Sequence, residues 1–383
     1  MPRIKVLHII KTLNLGGAET NLLNLIQQID RDRFEAHVGY SFGGELEGEF
    51  VRAGARLFKY AEGNHKVKSL ASIGIVANIC RYLQSERIDI VHTHNFSGHI
   101  WGVAAARLAG KKIIEHVHDF RYLDPEDFKR RRGYNEQYKF VKYLKKSSHR
   151  VIVLTQQNKN FLINGGFYSP EAVIERQNGI PLDAVSSTAE ERKNLRRELA
   201  LPDNHLLVLT PVRVAPEKNV DLILRIAPQV IRQVRDVIFV IAGDGPLMGE
   251  LQEWAARENL SEHVRFIGFC PDVRRLMGVV DVMLLPSFLE LHSIAILEAM
   301  SMQVPVVVSQ DVGCNNEFIR HGENGFLHDP FNDKGWAETL VTLLRDAGLR
   351  RRVGEAGYAT SAERFNIRQT SRSIEKIYDD LMA

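Results

Sequence analysis

The chain has 383 residues, of which 44% are hydrophobic, 25% charged and 8% aromatic, a composition that excludes a disordered or fibrous chain and, by length, a single small binding module. A formal net charge of +3 gives no general reason to expect nucleic acid as a partner. Cys80, Cys270 and Cys314 are odd in number and far apart, which argues against a disulfide framework or zinc knuckle and for a reducing, cytoplasmic setting; no transmembrane run and no cleavable leader is expected.

Strands rich in Val and Ile alternate with helix-period segments along the chain, the pattern of an α/β protein with parallel sheets. The first half predicts strands near Ile4–Ile10, Ala36–Tyr40, Ile88–Thr93, Lys112–Val117, Arg150–Leu154 and Ala172–Glu175. Leu22, Leu25, Ile26 and Ile29 share one helical face. The turn Asn178-Gly179-Ile180-Pro181 and the polar run Ser186–Asn204 mark a boundary. Beyond it the sequence predicts strands near His205–Leu209, Val237–Ala242, Val264–Gly268, Val282–Leu285 and Val304–Ser309, then helices over Asp333–Ala383. Two doubly wound domains follow, over 1–180 and 181–364, with a closing helix at about 365–383 packing back on the first. Ligands of such sheets bind outside the carboxyl ends of the strands, so the loops after strands hold the candidate residues.

In chain order, the first is Gly16-Gly17, where the backbone can approach a phosphate or sugar at a helix N-terminus, or simply turn tightly. His92 and His94, then Glu115, His116, His118 and Asp119, follow two strands; within each histidine pair the side chains share a strand face. They read as structural histidines, as a polar group at His118 facing substrate, or as a metal site, for which nothing in the spacing fixes a ligand count. Arg213 and Lys218 sit after a strand beside a helix start, an arrangement that neutralises a diphosphate. Gly243-Asp244-Gly245-Pro246 is a turn after a strand. Pro286-Ser287-Phe288-Leu289-Glu290 precedes Leu291-His292-Ser293 and a helix carrying Glu298. A carboxylate among Ile294, Ile296, Leu297, Ala299 and Met300 needs a partner, which hydroxyl groups of a ligand could supply.

These motifs resemble glycosyltransferase family 4 over nearly the whole chain: Gly16-Gly17, His118-Asp119, Asn178-Gly179-Ile180, Arg213 with Lys218, Gly243 to Pro246, and Glu290 separated by seven residues from Glu298, with Pro305-Val306-Val307 and Gly322 to Phe326 behind. The resemblance implies the GT-B architecture, two Rossmann-like domains facing a central cleft, and sugar transfer from a nucleotide donor with retention. It implies that Arg213 and Lys218 hold the donor diphosphate, that Glu290 contacts the donor sugar and Glu298 the ribose, and that the amides of Leu291, His292 and Ser293 approach the phosphates. Gly16 and Gly17 would shape the cleft, Gly243 would join the donor loops, and His118 would touch the transferred sugar. Leu291, Gln303, Asn219 and Cys314 stand where the family commonly has Gly or another small residue, which puts the donor identity in question.

No carboxylate is placed as a nucleophile for double displacement; the resemblance favours same-face attack, with no cofactor and no metal. The Asp-x-Asp at Asp30 and Asp32 follows a helix, unlike a metal–diphosphate motif after a strand. A nucleotide-sugar epimerase, a metal-dependent hydrolase using the histidines, and a catalytically silent sugar-binding relative are the alternatives. The expected partners are a nucleotide-sugar donor and a glycan or lipid-linked acceptor.

Between Arg121 and Arg150 there are ten Lys/Arg and four Asp/Glu, a local balance of +6. A helix over about Tyr134–Ser147 would carry this charge beside Tyr138, Val141 and Leu144, as a solvated face of a core helix, as a surface for anionic lipid with the enzyme at the inner face of the membrane, or, least favoured, as a contact for nucleic acid. The protein is expected to sediment with anionic vesicles at low salt and to be released at high salt, as screening requires. Equal retention by neutral vesicles would refute the electrostatic contact.

Overall fold

The computed structural model describes residues 2–62, 70–118, 148–182, 189–199 and 201–383. Asp119 and the expected basic helix over 134–147 lie outside the described residues. The chain divides into two compact units, Met1–Gly179 with Ile367–Ala383, and Ile180–Asn366.

The first unit holds a parallel sheet of order β3-β2-β1-β4-β5-β6-β7. Its strands are β1 (Ile4–Ile9), β2 (Phe34–Tyr40), β3 (Arg56–Lys59), β4 (Ile90–His94), β5 (Lys112–Val117), β6 (Arg150–Val153) and β7 (Val173–Glu175). Because side chains alternate along a strand, β1 sends Val6 and Ile10 to one face and Leu7 and Ile9 to the other. The first pair joins Leu22, Leu25, Ile26, Phe34, Ile374 and Tyr378 in a core under the helices Gly17–Gln28 and Ile367–Met382. The second pair packs with Ile79, Leu83, Val91 and Val103 under the helices Leu70–Ser85 and Asn95–Leu108. Both faces are covered, which is why the strands read as nearly continuous apolar runs. The closing helix is pinned to the first unit by Glu375, whose Oε1 accepts from the Asp30 amide at 2.8 Å, and by Tyr378, buried in the core.

The second unit has the parallel order β10-β9-β8-β11-β12-β13, with β8 (Leu206–Pro211), β9 (Val237–Ala242), β10 (Val264–Gly268), β11 (Val282–Leu285), β12 (Val306–Ser309) and β13 (Phe326–His328). One continuous core includes Leu209, Ile223, Phe239, Leu284, Val307 and Trp336. Chain order reverses between β1 and β4 in the first sheet and between β8 and β11 in the second. Each reversal sends successive crossover helices to opposite sides and leaves an open crevice at the carboxyl ends of those strands. The candidate residues sit at these two places.

Two strands are absent from the sequence reading, β3 and β13. Both are edge strands: β3 is Arg-Leu-Phe-Lys with no fully buried residue, and β13 has three half-buried residues. Short, charged or half-exposed edges do not carry the apolar run that marks a central strand.

Candidate active site

In the second unit, β8 ends at Pro211 and the chain passes Arg213 to a single 3-10 turn, Pro216–Lys218. Arg213 is exposed and makes no ion pair among the described residues. Its backbone is set from beneath by the loop after β9. Val212 N donates to Ala242 O at 3.0 Å and Val214 N to Asp244 O at 3.0 Å. Gly243 lies at φ +150, and a Cβ there would fall 1.9 Å from the Val212 carbonyl oxygen. Glycine at 243 therefore serves the close approach of two loops, one residue from Arg213.

Lys218 and Glu290 are brought together rather than held apart as two separate contacts. Lys218 Nζ lies 2.6 Å from Glu290 Oε1, with both side chains largely buried, and Ser287 Oγ donates to the same oxygen at 2.8 Å. The Glu290 carboxylate is thus fixed at the crevice between β8 and β11 before any ligand arrives. Leu291, His292 and Ser293 lead into the helix Ile294–Ser301, whose first amides have no partner within the helix and whose dipole favours an anion. Glu298 lies one turn and a half inside it. Its carboxyl is pushed up to about 7, mainly by burial, with Arg274 opposing and Asp272 adding.

The four departures from the usual small residues have local explanations. Asn219 adopts φ +50, ψ +38, a left-handed conformation that asparagine tolerates better than other side chains. Its Nδ2 donates to Pro286 O at 3.1 Å and Pro330 O at 3.3 Å, so it ties the loops after β11 and β13 together. Gln303 also has a positive φ, +59, but it lies past the C-terminal end of the helix Ile294–Ser301, away from the loops at that helix's start. Leu291 is held through its backbone: its carbonyl accepts from Cys314 N at 2.9 Å and Cys314 Sγ at 3.0 Å. Beside it Gly313, at φ +58, would place a Cβ 2.3 Å from the same oxygen. Asn219, Leu291 and Cys314 close the loops upon each other, and Arg213, Lys218, Glu290 and Glu298 remain in place.

In the first unit, Gly16 precedes the helix Gly17–Gln28 in an extended conformation that any residue adopts. Space is what it supplies, because a Cβ would fall 2.6 Å from Glu19 Oε2. Glu19 escaped the sequence reading; its signal was a carboxylate three residues after Gly16, the position from which a side chain folds back over a helix start. It is buried, and its carboxyl is raised to about 7 by burial, partly offset by its own backbone amide.

The histidines form one cluster rather than two. In register, His8 faces His92 across β1 and β4, and His94 faces His116 across β4 and β5. All lie on the face covered by the helix Ile367–Met382, whose Tyr378 hydroxyl is 2.7 Å from His92 Nδ1. His8 Nδ1 is 3.1 Å from His94 Nε2, and His94 Nδ1 is 3.0 Å from His118 Nε2. His8 was missed because a single histidine in an apolar strand gives no pattern. Glu115, grouped with His116 by sequence, takes the opposite face, where it accepts from Tyr168 OH at 3.1 Å and from Ser148 Oγ.

Two trios in this cluster, His8-His92-His94 and His94-His116-His118, bring ligand-type nitrogens within 4.8 Å of one another. Neither trio includes a carboxylate or thiolate, so a divalent cation held there would be ligated by neutral imidazoles alone. Both His94 nitrogens already face other imidazoles. The Asp-x-Asp is also accounted for locally, since Asp30 Oδ1 accepts from the Asp32 amide at 3.0 Å in a turn.

Comparison with known proteins follows the two halves of the chain. Residues 15–184 match the family described as Glycosyltransferase Family 4, and residues 191–360 the family described as Glycosyl transferases group 1. Among named relatives, the UDP-Gal:alpha-D-GlcNAc-diphosphoundecaprenol alpha-1,3-galactosyltransferase of Escherichia coli is 25% identical over 385 residues, covering 99% of this chain and 98% of that one. The alpha-D-kanosaminyltransferase of Streptomyces kanamyceticus is 31% identical over 198 residues, 51% of each chain. Among solved structures, HepE of Anabaena in complex with UDP and glucose has a TM-score of 0.84 at 22% identity, covering 98% of this chain and 100% of that one, which makes the likeness one of fold.

The raised Glu298 carboxyl makes stability depend on pH with a defined sign. A carboxyl whose folded value lies above its unfolded value of 4.5 contributes stability that is complete below 4.5 and is lost as pH rises through about 7. The melting temperature of the wild type relative to Glu298→Gln is therefore expected to fall across that window and to level off above it. Parallel thermal melts that give a pH-independent difference would contradict the burial of this carboxyl.

Proposed function

The chain belongs to glycosyltransferase family 4, and from that premise we propose that this glycosyltransferase moves a sugar from a uridine-diphosphate donor to a lipid-linked glycan, with retention of configuration and without a metal. The observation that carries the reading is the pairing of Lys218 with Glu290 beside Arg213, at the reversal between β8 and β11 and at the start of the helix Ile294–Ser301. A cation pair, a helix N-terminus and a fixed carboxylate at one crevice suit a diphosphate joined to a polyhydroxyl group.

In this reading Arg213, Lys218 and the amides of Leu291 to Ser293 bind the diphosphate and stabilise the charge that grows on it as the glycosidic bond breaks. Glu290, held by Lys218 and Ser287, accepts from the donor sugar's hydroxyls. Glu298 accepts from the ribose. His118 contacts the transferred sugar, and Gly16 and Gly17 leave room for the backbone to approach substrate. Attack comes from the face that the diphosphate leaves, and a departing phosphate oxygen takes the acceptor's proton. Two cations after β8 occupy the role that an Asp-x-Asp and its metal would otherwise fill.

A uridine donor and a lipid-linked acceptor are drawn from the Escherichia coli relative, whose name specifies UDP-Gal and a diphosphoundecaprenol-linked sugar, and from the UDP in the HepE complex. The +6 segment between Arg121 and Arg150 suits an acceptor displayed on an anionic membrane. No helix among the described residues is long and apolar enough to cross a membrane, so contact with lipid would be peripheral. An epimerase or hydrolase is not favoured, because the relatives that align along the chain are named as transferases.

Arg213→Ala is expected to lower kcat on the order of 10²-fold with little change in donor affinity, the scale of losing one preorganised charge stabiliser. Lys218→Ala should cost more, since it also leaves the Glu290 carboxylate unpaired beside the diphosphate. Glu298→Ala should chiefly raise the donor KM, because ribose hydroxyls gain no charge in the transition state. Steady-state kinetics with a UDP-sugar decide this, and equal small effects from all three would place the nucleotide elsewhere. Turnover should also survive exhaustive chelation; loss on chelation with recovery on adding Mg²⁺, Mn²⁺ or Zn²⁺ would refute the metal-independent reading.

A further inference from the structure

We propose that Phe331, backed by Phe288, forms a carbohydrate subsite at the rim of the crevice between β8 and β11, a ring face on which a sugar of the acceptor stacks. The inference rests on the proposed reading of that crevice as the donor site. Among the described residues the exposed Phe, Tyr and Trp side chains are Phe269, Phe288 and Phe331. They follow β10, β11 and β13 in turn, so all stand at the carboxyl edge of the second sheet, where ligands of such sheets bind. Single exposed apolar residues need no explanation. Two in contact, each on a backbone fixed by hydrogen bonds, do.

The rings of Phe288 and Phe331 stack with centroids 5.1 Å apart at 29°, which leaves Phe331 79% and Phe288 39% exposed. Asn219 Nδ2 donates to Pro286 O at 3.1 Å and to Pro330 O at 3.3 Å, so one side chain ties the two loops that carry the rings. Phe288 N donates to Glu217 O at 2.9 Å, in the turn that holds Lys218, and Phe331 N donates to Asp329 Oδ1 at 2.9 Å. A ring face fixed before its ligand arrives loses little freedom on binding. A glycine at 219 would keep the left-handed backbone there but not the tie.

The loop after β11 separates the floor of the crevice from its rim. Ser287 is fully buried and Glu290 largely so, joined by the hydrogen bond that fixes the carboxylate, whereas Phe288 between them faces solvent. A donor sugar held by Glu290 lies on the floor; the rings stand outside it, where a second substrate arrives from solvent. The size of the patch selects the chemistry of that substrate. In the second unit the exposed large apolar side chains among the described residues are these two and Phe269, and Phe269 follows β10 at the opposite end of the strand order. A lipid chain would find no apolar continuation. The C–H face of one pyranose matches one aromatic face and leaves the sugar's hydroxyls in water.

Aromatic carbon-13 NMR of the phenylalanine-labelled full chain, saturated with UDP, reads the contact, with the Phe269, Phe288 and Phe331 signals assigned by their loss in the corresponding Leu variants. Titration with the methyl α-glycosides of glucose, galactose and N-acetylglucosamine is expected to move the Phe331 and Phe288 signals saturably with at least one of them and to leave Phe269 still. Phe331→Leu should weaken that glycoside about tenfold, the scale of one aromatic stacking contact, while Phe331→Tyr keeps the ring and should bind as the wild type does. Asn219→Gly retains both rings but removes the tie, and should weaken binding as well. No saturable shift from any glycoside, equal shifts at Phe269, or undiminished binding by Phe331→Leu would overturn the proposal. So would a Phe331 shift produced by a UDP-sugar with no glycoside present, which assigns the ring to the donor, or one produced by dodecyl phosphate micelles and not by glycosides, which makes it a lipid contact. Should glycosides bind as stated to a chain that turns over no UDP-sugar, the subsite stands and the uridine-donor reading fails.

Discussion

A parallel sheet buried on both faces must be wound by crossover helices, and where the strand order reverses those helices leave to opposite sides. Nothing then covers the carboxyl ends of the two strands at the reversal. In this protein that constraint acts twice, between β1 and β4 and between β8 and β11, and the chemistry of each unit gathers at its own reversal. The Val and Ile runs that fill the sheets are therefore also what place His94 beside His8, and Lys218 beside Glu290, across long stretches of sequence.

The two reversals are built to opposite electrostatic ends. In the second unit the polar groups are charged and already paired: Glu290 is satisfied by Lys218 and Ser287, so a ligand meets a carboxylate whose position is fixed and whose desolvation is partly offset. In the first unit burial favours the neutral forms of His8 and His94. Five histidines lie with ring centroids 4.0 to 5.6 Å apart between successive neighbours, and charging His8 or His94 would place a cation among other imidazoles. Glu115, which could have supplied an opposing charge, is turned to the opposite face by strand alternation and is held there by Ser148 and Tyr168.

Sequence periodicity carried the central strands, the helix face of Leu22 to Ile29 and the loops after strands, because these depend on local patterns of burial. It also placed Arg213, Lys218, Glu290 and Glu298 in post-strand loops or the helix behind them. What it did not carry depends on register or on distance in the chain. The Lys218–Glu290 pair spans 72 residues, and the His8–His94 contact spans 86. His8 gives no local signal, since a single polar residue in an apolar strand is read as noise until its partners across the sheet are known. Glu19 is similar: a glutamate in a first helical turn is ordinary, and only the empty space above Gly16 shows what it occupies.

The departures at Asn219 and Gln303 show why a glycine-rich pattern can change without loss of the site. Both residues occupy left-handed backbone, where glycine is favoured for conformation and not for room. Asparagine meets the conformational demand and adds what glycine lacks, two side-chain hydrogen bonds that tie the loops after β11 and β13. Gly243 and Gly313 are different in kind. There a Cβ would strike a carbonyl oxygen of the loop carrying Arg213 or Leu291, and no side chain could be accommodated without moving that loop. At 219 and 303 a side chain meets the demand on the dihedral angle, whereas at 243 and 313 two loops touch too closely for one, so the charged residues of the crevice keep their backbone supports.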